Sequence, residues 1–361
     1  MKNNNTTKIQ QAIIGLDLGD KKHQICVTDN KNGNILEEFS MPNTRKHLEK
    51  LIDKYPGALV AIEVGTHSAW ISRLLTAKGA SVITANARKL RAIYTNDRKS
   101  DLVDARMLAK LARVDPSLLH PIRHGSEQCQ KDMLAIKLRD TLVRQRVNII
   151  SSIRGMLKSL GVRIPSPSTP CFTKTARVKL QEHADLLGSI EPGLRALDEL
   201  SASIRELDKK IKDMAQNKYP ETQRLEQIVG VGSITSLCFA LVIGDSQRFH
   251  DPRDVGAFLG LVPRRDQSGD TDKRLPISKA GNGYMRRLLV QSAQYIMGPF
   301  GGGSDLRRYG LRLTERGGSA AKKKAVVAVA RKLAVLMLVL WQRGSEYEPL
   351  KNKTGEVPEA A

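Results

Sequence analysis

The run Ile13-Ile14-Gly15-Leu16-Asp17-Leu18-Gly19 places an acidic side chain at the end of a short apolar segment. A second apolar segment, Leu59-Val60-Ala61-Ile62-Glu63, ends in the same way. Short apolar runs bounded by polar residues are typical of buried strands. A carboxylate at the end of such a strand is costly without a cation nearby, so both acids call for a chemical reason.

Helical patterns alternate with these strands along the first third of the chain. We expect a hairpin with a polar turn over residues 12–28, helices over 43–55 and 68–78, and a strand over 81–84. Strands that alternate with helices predict an α/β domain whose mixed sheet is covered on both faces.

Two further acids follow in the segment Asp101-Leu102-Val103-Asp104. Ser100 fits as the N-cap of a helix that begins at Asp101. Positions i and i+3 share one helix face, so Asp101 and Asp104 are predicted to point into the same cleft. Taken alone, Asp17 also fits as a turn residue, and Asp101 and Asp104 also fit as solvated carboxylates in a first helical turn.

The composition indicates a polyanionic partner. The chain has 59 Lys and Arg against 37 Asp and Glu, a formal net charge of +22. Nucleic acid is the first candidate and an anionic membrane surface the second. Aromatic residues are only 4% of the chain, so base stacking is not expected to be the main binding mode.

The sequence also argues against several other classes of protein. The four cysteines form no C-x-x-C pair, which argues against a zinc site and a disulfide framework. Residues 1–5 are polar, and the longest uncharged apolar stretch, 333–341, is shorter than the roughly 20 residues that cross a bilayer. We therefore expect a cytoplasmic protein, with no membrane partner.

The middle of the chain is predicted to be helical. Residues 131–160 have a helical pattern, and a loop rich in proline and serine follows over 161–170. The next helix carries apolar residues spaced alternately by three and four, a short heptad seam: Leu197, Leu200, Ile204, Leu207, Ile211 and Met214. This seam predicts either a coiled coil, within the chain or across a dimer, or an antiparallel helical hairpin inside one chain.

The last third is mainly helical and strongly basic. Gly230-Val231-Gly232 places a tight turn between helices, which resembles a helix-hairpin-helix element whose amides receive a DNA phosphate, although a plain interhelical turn fits as well. Residues 261–343 contain 17 Lys and Arg against 5 Asp and Glu. More than half of the positive surplus therefore lies in this stretch.

Ser268 stands beside Gly269 in a polar loop flanked by Arg264, Arg265, Lys273 and Arg274. A serine hydroxyl among cations can attack phosphorus if a base or metal removes its proton. An ordinary flexible turn is the alternative. Ser278 is the competing nucleophile, and it also fits as the N-cap of the helix that follows.

The motifs together resemble a known family. The acids stand in the order D, E, D-x-x-D of the ribonuclease H and RuvC nucleases, and the C-terminal third contains Gly-Leu-Val-Pro from Gly260, Ser268-Gly269, Ile-Ser-Lys-Ala-Gly-Asn from Ile277 and Arg-Arg-Leu-Leu from Arg286. This combination resembles the DEDD transposases of the IS110 insertion-sequence family and the related Piv-type DNA invertases. Gln267 departs from the pattern, because the family often has a second serine before the nucleophile.

The resemblance implies an α/β plus all-α architecture in four parts: a RuvC-like DEDD nuclease domain over 8–125, a helical coiled-coil connector over 126–222, a transposase domain with a nucleophilic serine over 223–345, and a disordered tail over 346–361. It also implies the site. Asp17, Glu63, Asp101 and Asp104 would hold Mg²⁺, as two ions, and Ser268 would become linked to DNA.

The function that follows is strand cleavage and exchange on DNA through a phosphoserine intermediate, guided by a structured bridge RNA. Expected partners are donor and target DNA, the guide RNA and further copies of the chain, as a dimer or tetramer, in the nucleoid. Seven cations are expected to contact nucleic acid: Arg264, Arg265, Lys273, Arg274, Lys279, Arg286 and Arg287. The alternatives are a RuvC-like structure-selective endonuclease using metal-activated water, and a non-catalytic nucleic-acid-binding protein.

Overall fold

A computed structural model describes residues 12–90, 100–165, 168–269, 271–315 and 317–351. The predicted start of the first domain at Lys8, the side chain of Arg274 and the predicted tail beyond residue 351 lie outside the described part. The chain divides into two compact units, with the boundary after His124. This boundary lies next to the predicted one at 125/126, whereas the further division at 222/223 stays a prediction.

The first unit is built on a sheet of five strands: β1 (Ala12–Asp17), β2 (Lys22–Asp29), β3 (Ile35–Pro42), β4 (Leu59–Glu63) and β5 (Ser81–Ala85). Their order is β3-β2-β1-β4-β5. β1 pairs antiparallel with β2 and parallel with β4, while β2–β3 is antiparallel and β4–β5 parallel. The mixed sheet is confirmed, and its order and strand directions are those of an RNase H-like sheet. β3 was not predicted.

Both faces of the sheet are covered. Helices α1 (Arg45–Lys54) and α2 (Ser68–Ala77) bury their apolar residues on one face. Helix α3 (Asp101–Val114) lies on the other face, where Ala105, Leu108, Ala109 and Ala112 are buried. Short 3₁₀ turns occupy Ala87–Lys89 and Pro116–Leu119.

The second unit is mainly helical, as predicted. Its helices are α4 (Glu127–Ser159), α5 (Phe172–Lys179), α6 (Ala184–Asn217), α7 (Glu221–Glu226), α8 (Ser233–Ile243), α9 (Asp254–Phe258), α10 (Gly283–Met297), α11 (Asp305–Thr314) and α12 (Gly318–Arg343). Strands β6 (Pro263–Ser268) and β7 (Thr271–Ile277) form a hairpin, where the sequence had predicted a polar loop.

Helices α4 and α6 pack antiparallel within the chain. Arg139 of α4 is hydrogen bonded to Asp208 of α6, and Arg146 lies 3.5 Å from the hydroxyl of Ser201. The seam residues Leu197, Ile204 and Ile211 are buried. The structure therefore shows the antiparallel hairpin inside one chain, and a coiled coil across a dimer stays a prediction.

The turn between α7 and α8 is closely packed. Gly230 has a φ of 92°, and a Cβ there would lie 3.2 Å from the carbonyl oxygen of Ser292. Gly232 is the N-cap of α8. A glycine-dependent turn between two helices is thus present, while its action as a helix-hairpin-helix DNA contact stays a prediction.

Helix α12 is long and apolar enough, by length and composition, to cross a membrane. Its buried residues, among them Val329, Leu333 and Met337, belong to the apolar core shared with α8 and α10. Burial in this core accounts for part of the apolar composition, since 44% of the most apolar 18-residue stretch of the helix is buried.

The first residues of the predicted tail are bound to the second unit. The amide of Tyr347 donates to the side-chain oxygen of Gln227 at 2.8 Å, and the carbonyl of Pro349 accepts from the amide of Asp305 at 2.8 Å.

Candidate metal centre

Asp17 and Glu63 lie at the carboxyl ends of adjacent parallel strands. Leu16 pairs with Ile62, so the two acids follow at the same edge of the sheet. Side chains alternate between faces along a strand. Ile13 of β1 and Ala61 of β4 are buried on the α3 face of the sheet. Asp17 follows Ile13 by four residues and Glu63 follows Ala61 by two, so both acids are on the same face.

Helix α3 brings the other two acids to the same place. Ser100 is its N-cap, with the hydroxyl accepting from the amide of Val103 at 3.3 Å, as predicted. Asp104 is buried and Asp101 is exposed. They lie in the first turn of the helix, the turn that passes nearest the end of β1.

Gly15 allows this close approach. A Cβ at Gly15 would lie 1.9 Å from the carbonyl oxygen of Ala105 and 2.7 Å from the amide nitrogen of Ala109. Only glycine lets the backbone of α3 lie directly on β1. Sequence reasoning missed this role, although a glycine inside an apolar strand is a known sign of close backbone approach.

The other three acids lie close enough to Asp17 for their charges to act on it. Burial first, and then the charges of Asp101, Asp104 and Glu63, raise the pKa of Asp17 to about 6. Like charges shift a pKa only at short range. The structure therefore brings the four predicted acids together at one edge of the first unit.

The cluster fits a hard divalent cation by its chemistry. Carboxylate oxygens are the ligands that Mg²⁺ and Ca²⁺ prefer, and a cation would relieve the repulsion that raises the pKa of Asp17. Among the described residues, no three Asp, Glu, His or Cys side chains stand close enough to surround a metal ion. The donors are thus gathered at one edge of the sheet without surrounding one point.

Another acid near α3 has a partner of its own. Arg106 of α3 forms two hydrogen bonds to Glu38 of β3 and holds the pKa of that carboxyl below its usual range. This ion pair ties α3 to the edge of the sheet. The pairing of Arg106 with Glu38 could not be predicted from the sequence, because β3 was not predicted.

Ser268 lies at the tip of the β6–β7 hairpin in the second unit. It pairs with Thr271 across the turn, and Gly269 has a φ of 53°. β6 is exposed along its whole length. The hydroxyl is therefore presented to solvent on a projecting ribbon.

Ser278 occupies a different environment. It is half-buried, and its hydroxyl accepts from the amide of Ala280 at 3.4 Å. The prediction that it caps the following helix was wrong: α10 begins at Gly283, and Asn282 is its N-cap, accepting from the amide of Met285 at 3.0 Å. Asparagine is as good a cap as serine, and Lys279 to Gly281 separate Ser278 from the cap position.

Three of the predicted nucleic-acid-binding cations have partners within the chain. Arg265 makes hydrogen bonds of 2.8 and 2.9 Å to Asp272 across the hairpin. Arg286 donates to the carbonyls of Leu259 and Ala280 at 2.8 and 2.6 Å, and Arg287 contacts Asp140 at 2.7 Å. Their charges are therefore already engaged.

Arg264, Lys273 and Lys279 are exposed. Lys279 has a φ of 53°, a left-handed backbone conformation that is uncommon for lysine. Arg265 and Arg287 are exposed as well, although each is ion-paired, and the side chain of Arg274 lies outside the described part.

Comparison with known proteins identifies the family. A family described as a DEDD transposase of the IS110 type matches residues 14–161, and the transposase IS116/IS110/IS902 family matches residues 222–303. The two matches include all four acids of the cluster and Ser268.

Relatives match over nearly the whole chain. The transposase for insertion sequence element IS1328 of Yersinia enterocolitica is 30% identical over 79% of this chain and 84% of its own length. The transposase for IS1111A of Coxiella burnetii is 26% identical over 93% of this chain and 91% of its own. A pilin gene-inverting protein of Moraxella lacunata is 28% identical over 41% of this chain and 46% of its own. With an RNase H-like sheet, four gathered acids and these two family matches, the chain belongs to the IS110 family and is a DEDD transposase, a DNA-processing enzyme of an insertion sequence.

Proposed function

We propose that this transposase cleaves and exchanges DNA strands through a covalent phosphoserine intermediate formed at Ser268, with Mg²⁺ held by Asp17, Glu63, Asp101 and Asp104. The observation that carries the proposal is the placement of the four acids at one edge of the first unit, where the charges of Asp101, Asp104 and Glu63 act on Asp17. A cluster of carboxylates in a chain of net charge +22 has no evident structural use.

The acids supply the ligands and the metal supplies the electrophilic chemistry. Bound Mg²⁺ would neutralise charge on the scissile phosphate and make the phosphorus easier to attack. Asp17 and Glu63 are held by the ends of two paired strands, and Asp104 is held by a capped helix, so the donors stand on rigid elements.

Ser268 is proposed as the nucleophile. Its oxygen forms a bond to phosphorus, the bond from phosphorus to one strand end breaks, and the hydroxyl proton ends on the released strand. A strand end from the other duplex then reverses the step and regenerates the serine. One phosphodiester is exchanged for another, so the cycle needs no external energy source.

The hairpin geometry supports this role. A two-stranded ribbon that is exposed along β6 gains little stability from its own packing, so its shape favours contact with a partner. Arg264 and Lys273 on the ribbon are positioned for a phosphate backbone. The acids belong to the first unit and Ser268 to the second. We propose that the reaction needs both, supplied by one chain or by different protomers of a dimer or tetramer.

We further propose that target choice is made by a structured guide RNA, with the protein contacting mainly backbone. The basic stretch 261–343 has 17 Lys and Arg against 5 Asp and Glu, and is suited to contact both DNA duplexes and RNA–DNA duplexes. We place the active complex in the cytoplasm, at the nucleoid.

The test replaces the nucleophile without changing charge. Ser268→Ala should abolish strand exchange and leave DNA and RNA binding nearly unchanged, as measured by a recombination assay and a gel-shift on the same preparations. Ser278→Ala is the matched control and should retain recombination. Normal products from Ser268→Ala would remove Ser268 from the mechanism.

A further inference from the structure

The loops that follow β1 and β4 are joined by a side-chain hydrogen bond. The Nε2 atom of His67 lies 3.0 Å from the carboxylate of Asp20. Asp20 comes three residues after Asp17, and His67 comes four residues after Glu63. The bond therefore connects the two short segments that leave the strand ends bearing the proposed metal ligands.

Trp70 fixes the orientation of His67. The indole N–H of Trp70 donates to Nδ1 of His67 at 3.2 Å, and the two rings meet edge to face. An indole nitrogen can only donate, so Nδ1 of His67 must accept. The imidazole proton is then on Nε2, directed at Asp20. The three side chains form one ordered chain of donors and acceptors.

The β4–α2 loop has little freedom to absorb a change at His67. The hydroxyl of Ser68 donates to the carbonyl of Gly65 at 2.7 Å and accepts from its amide at 3.1 Å. The amide of Val64 donates to the carbonyl of Ala85 at 3.0 Å. A restraint on His67 is therefore transmitted to Glu63.

The β1–β2 turn is held in a similar way. The side-chain amide of Asn43 donates to the carbonyls of Gly19 and Asp20 at 3.1 and 3.2 Å. These bonds anchor the turn to the residue that follows β3. Asp20 is the residue of the turn that His67 contacts.

We infer that Asp20, His67 and Trp70 are positioning residues that set the separation of the Asp17 and Glu63 carboxylates, and so the affinity of the site for a divalent cation. This inference rests on the proposed metal-binding role of those acids. The acids repel each other, and a tie between the loops that carry them opposes their spreading. The side chain of Asp20 is 90% exposed. A hydrogen bond to so exposed a group adds little to folding stability, so its effect should appear in metal affinity.

The test is calorimetric titration of Mg²⁺ into the full-length protein, at a temperature well below the unfolding transition of every variant. His67→Ala should raise the Kd for Mg²⁺ by about two- to fivefold, the range that the loss of one exposed hydrogen-bonded pair allows. Trp70→Phe keeps the ring, removes the N–H donor and should raise the Kd less. His67→Gln retains an N–H that can reach Asp20 and should recover most of the affinity.

His47→Ala is the matched control. The variant removes a histidine of α1, in the same unit, whose Nδ1 lies 2.7 Å from the hydroxyl of Thr44. It should leave the Kd for Mg²⁺ unchanged. Asp17→Asn distinguishes failure of the positioning role from failure of the metal site. If Asp17→Asn loses Mg²⁺ binding while His67→Ala and Trp70→Phe bind as the wild type, the positioning role is overturned and the metal site stands. If Asp17→Asn binds Mg²⁺ as the wild type does, the metal site itself is overturned.

Discussion

Gly15 of β1 and Ala105 of α3 are in direct backbone contact, so that a Cβ at Gly15 would lie 1.9 Å from the carbonyl oxygen of Ala105. This contact places the first turn of α3 beside the end of β1. The position of Asp101 and Asp104 next to Asp17 thus depends on the absence of a Cβ atom at Gly15.

Gly15→Ala should therefore destabilise the first unit and reduce catalysis. Relieving the overlap requires α3 to move away from the sheet, at an expected cost of about 3 kcal/mol or more. Denaturant unfolding measures the cost. Gly155→Ala in α4 is the matched control: a Cβ there meets nothing within 4 Å, so alanine should be neutral or stabilising by up to about 1 kcal/mol. Equal effects at the two sites would contradict the close-contact account.

Asp17 should make the metal-free protein less stable as the pH rises. Its pKa is raised from 3.8 to about 6 in the folded chain, so the folded state binds more protons than the unfolded state between these values. Stability is then lost progressively from about pH 4 to pH 6, and the whole cost is present above pH 6.

Asp17→Asn removes that cost. In EDTA at pH 8 the variant should be more stable than the wild type, by about 1–2 kcal/mol once solvent screening of a half-buried group is allowed for, and the difference should vanish below pH 4. Asp53→Asn, at an exposed carboxylate paired with Lys78, is the control and should change little. A destabilised Asp17→Asn at pH 8 would contradict the repulsion between the acids.

Mg²⁺ should stabilise the wild-type protein against heat. Binding to the folded state alone adds about 2.7 kcal/mol at a hundredfold excess over Kd. Glu63→Gln, which removes one ligand charge at the end of β4, should show a much smaller rise in Tm with Mg²⁺. A thermal scan with and without EDTA measures both. Identical Mg²⁺-induced shifts in the two proteins would exclude Glu63 as a ligand.

The basic residues of the second unit should separate into two groups. Arg286→Ala leaves the carbonyls of Leu259 and Ala280 without their donor, so it should cost about 1–3 kcal/mol of folding stability. Lys273→Ala, at an exposed hairpin position, should leave stability unchanged, weaken binding to all DNA sequences and lower the salt dependence of log K by about one. Unfolding curves and binding titrations at several salt concentrations distinguish the two. A folding defect in Lys273→Ala would contradict this division.

The acidic cluster could be predicted because each of its members has a local signal. Asp17 and Glu63 end apolar strands, and Ser100 caps the helix that carries Asp101 and Asp104. The resemblance to ribonuclease H-like nucleases then indicated that the four acids belong to one site. What brings them together, the contact of Gly15 with α3, is a distance between backbones that strand periodicity does not specify.

Other features left no readable pattern. The β6–β7 hairpin is exposed and polar, so it lacks the alternation of apolar residues that marks a strand. Arg286 looks like any cation in a basic stretch until its two carbonyl partners are seen. The bond between Asp20 and His67 joins residues 47 positions apart and appears only once the strands are paired.

The central claim is that Ser268 becomes covalently attached to DNA in a reaction that needs the acidic cluster. The most direct measurement is mass spectrometry of tryptic peptides from reactions containing DNA, guide RNA and Mg²⁺, stopped by denaturation. We predict a nucleotide adduct on the peptide containing Ser268, absent when EDTA is present and absent in Asp104→Asn. Cleaved DNA without a protein adduct would indicate attack by water as in a RuvC-like nuclease, and an adduct at Ser278 would place the nucleophile elsewhere; either result would contradict the account.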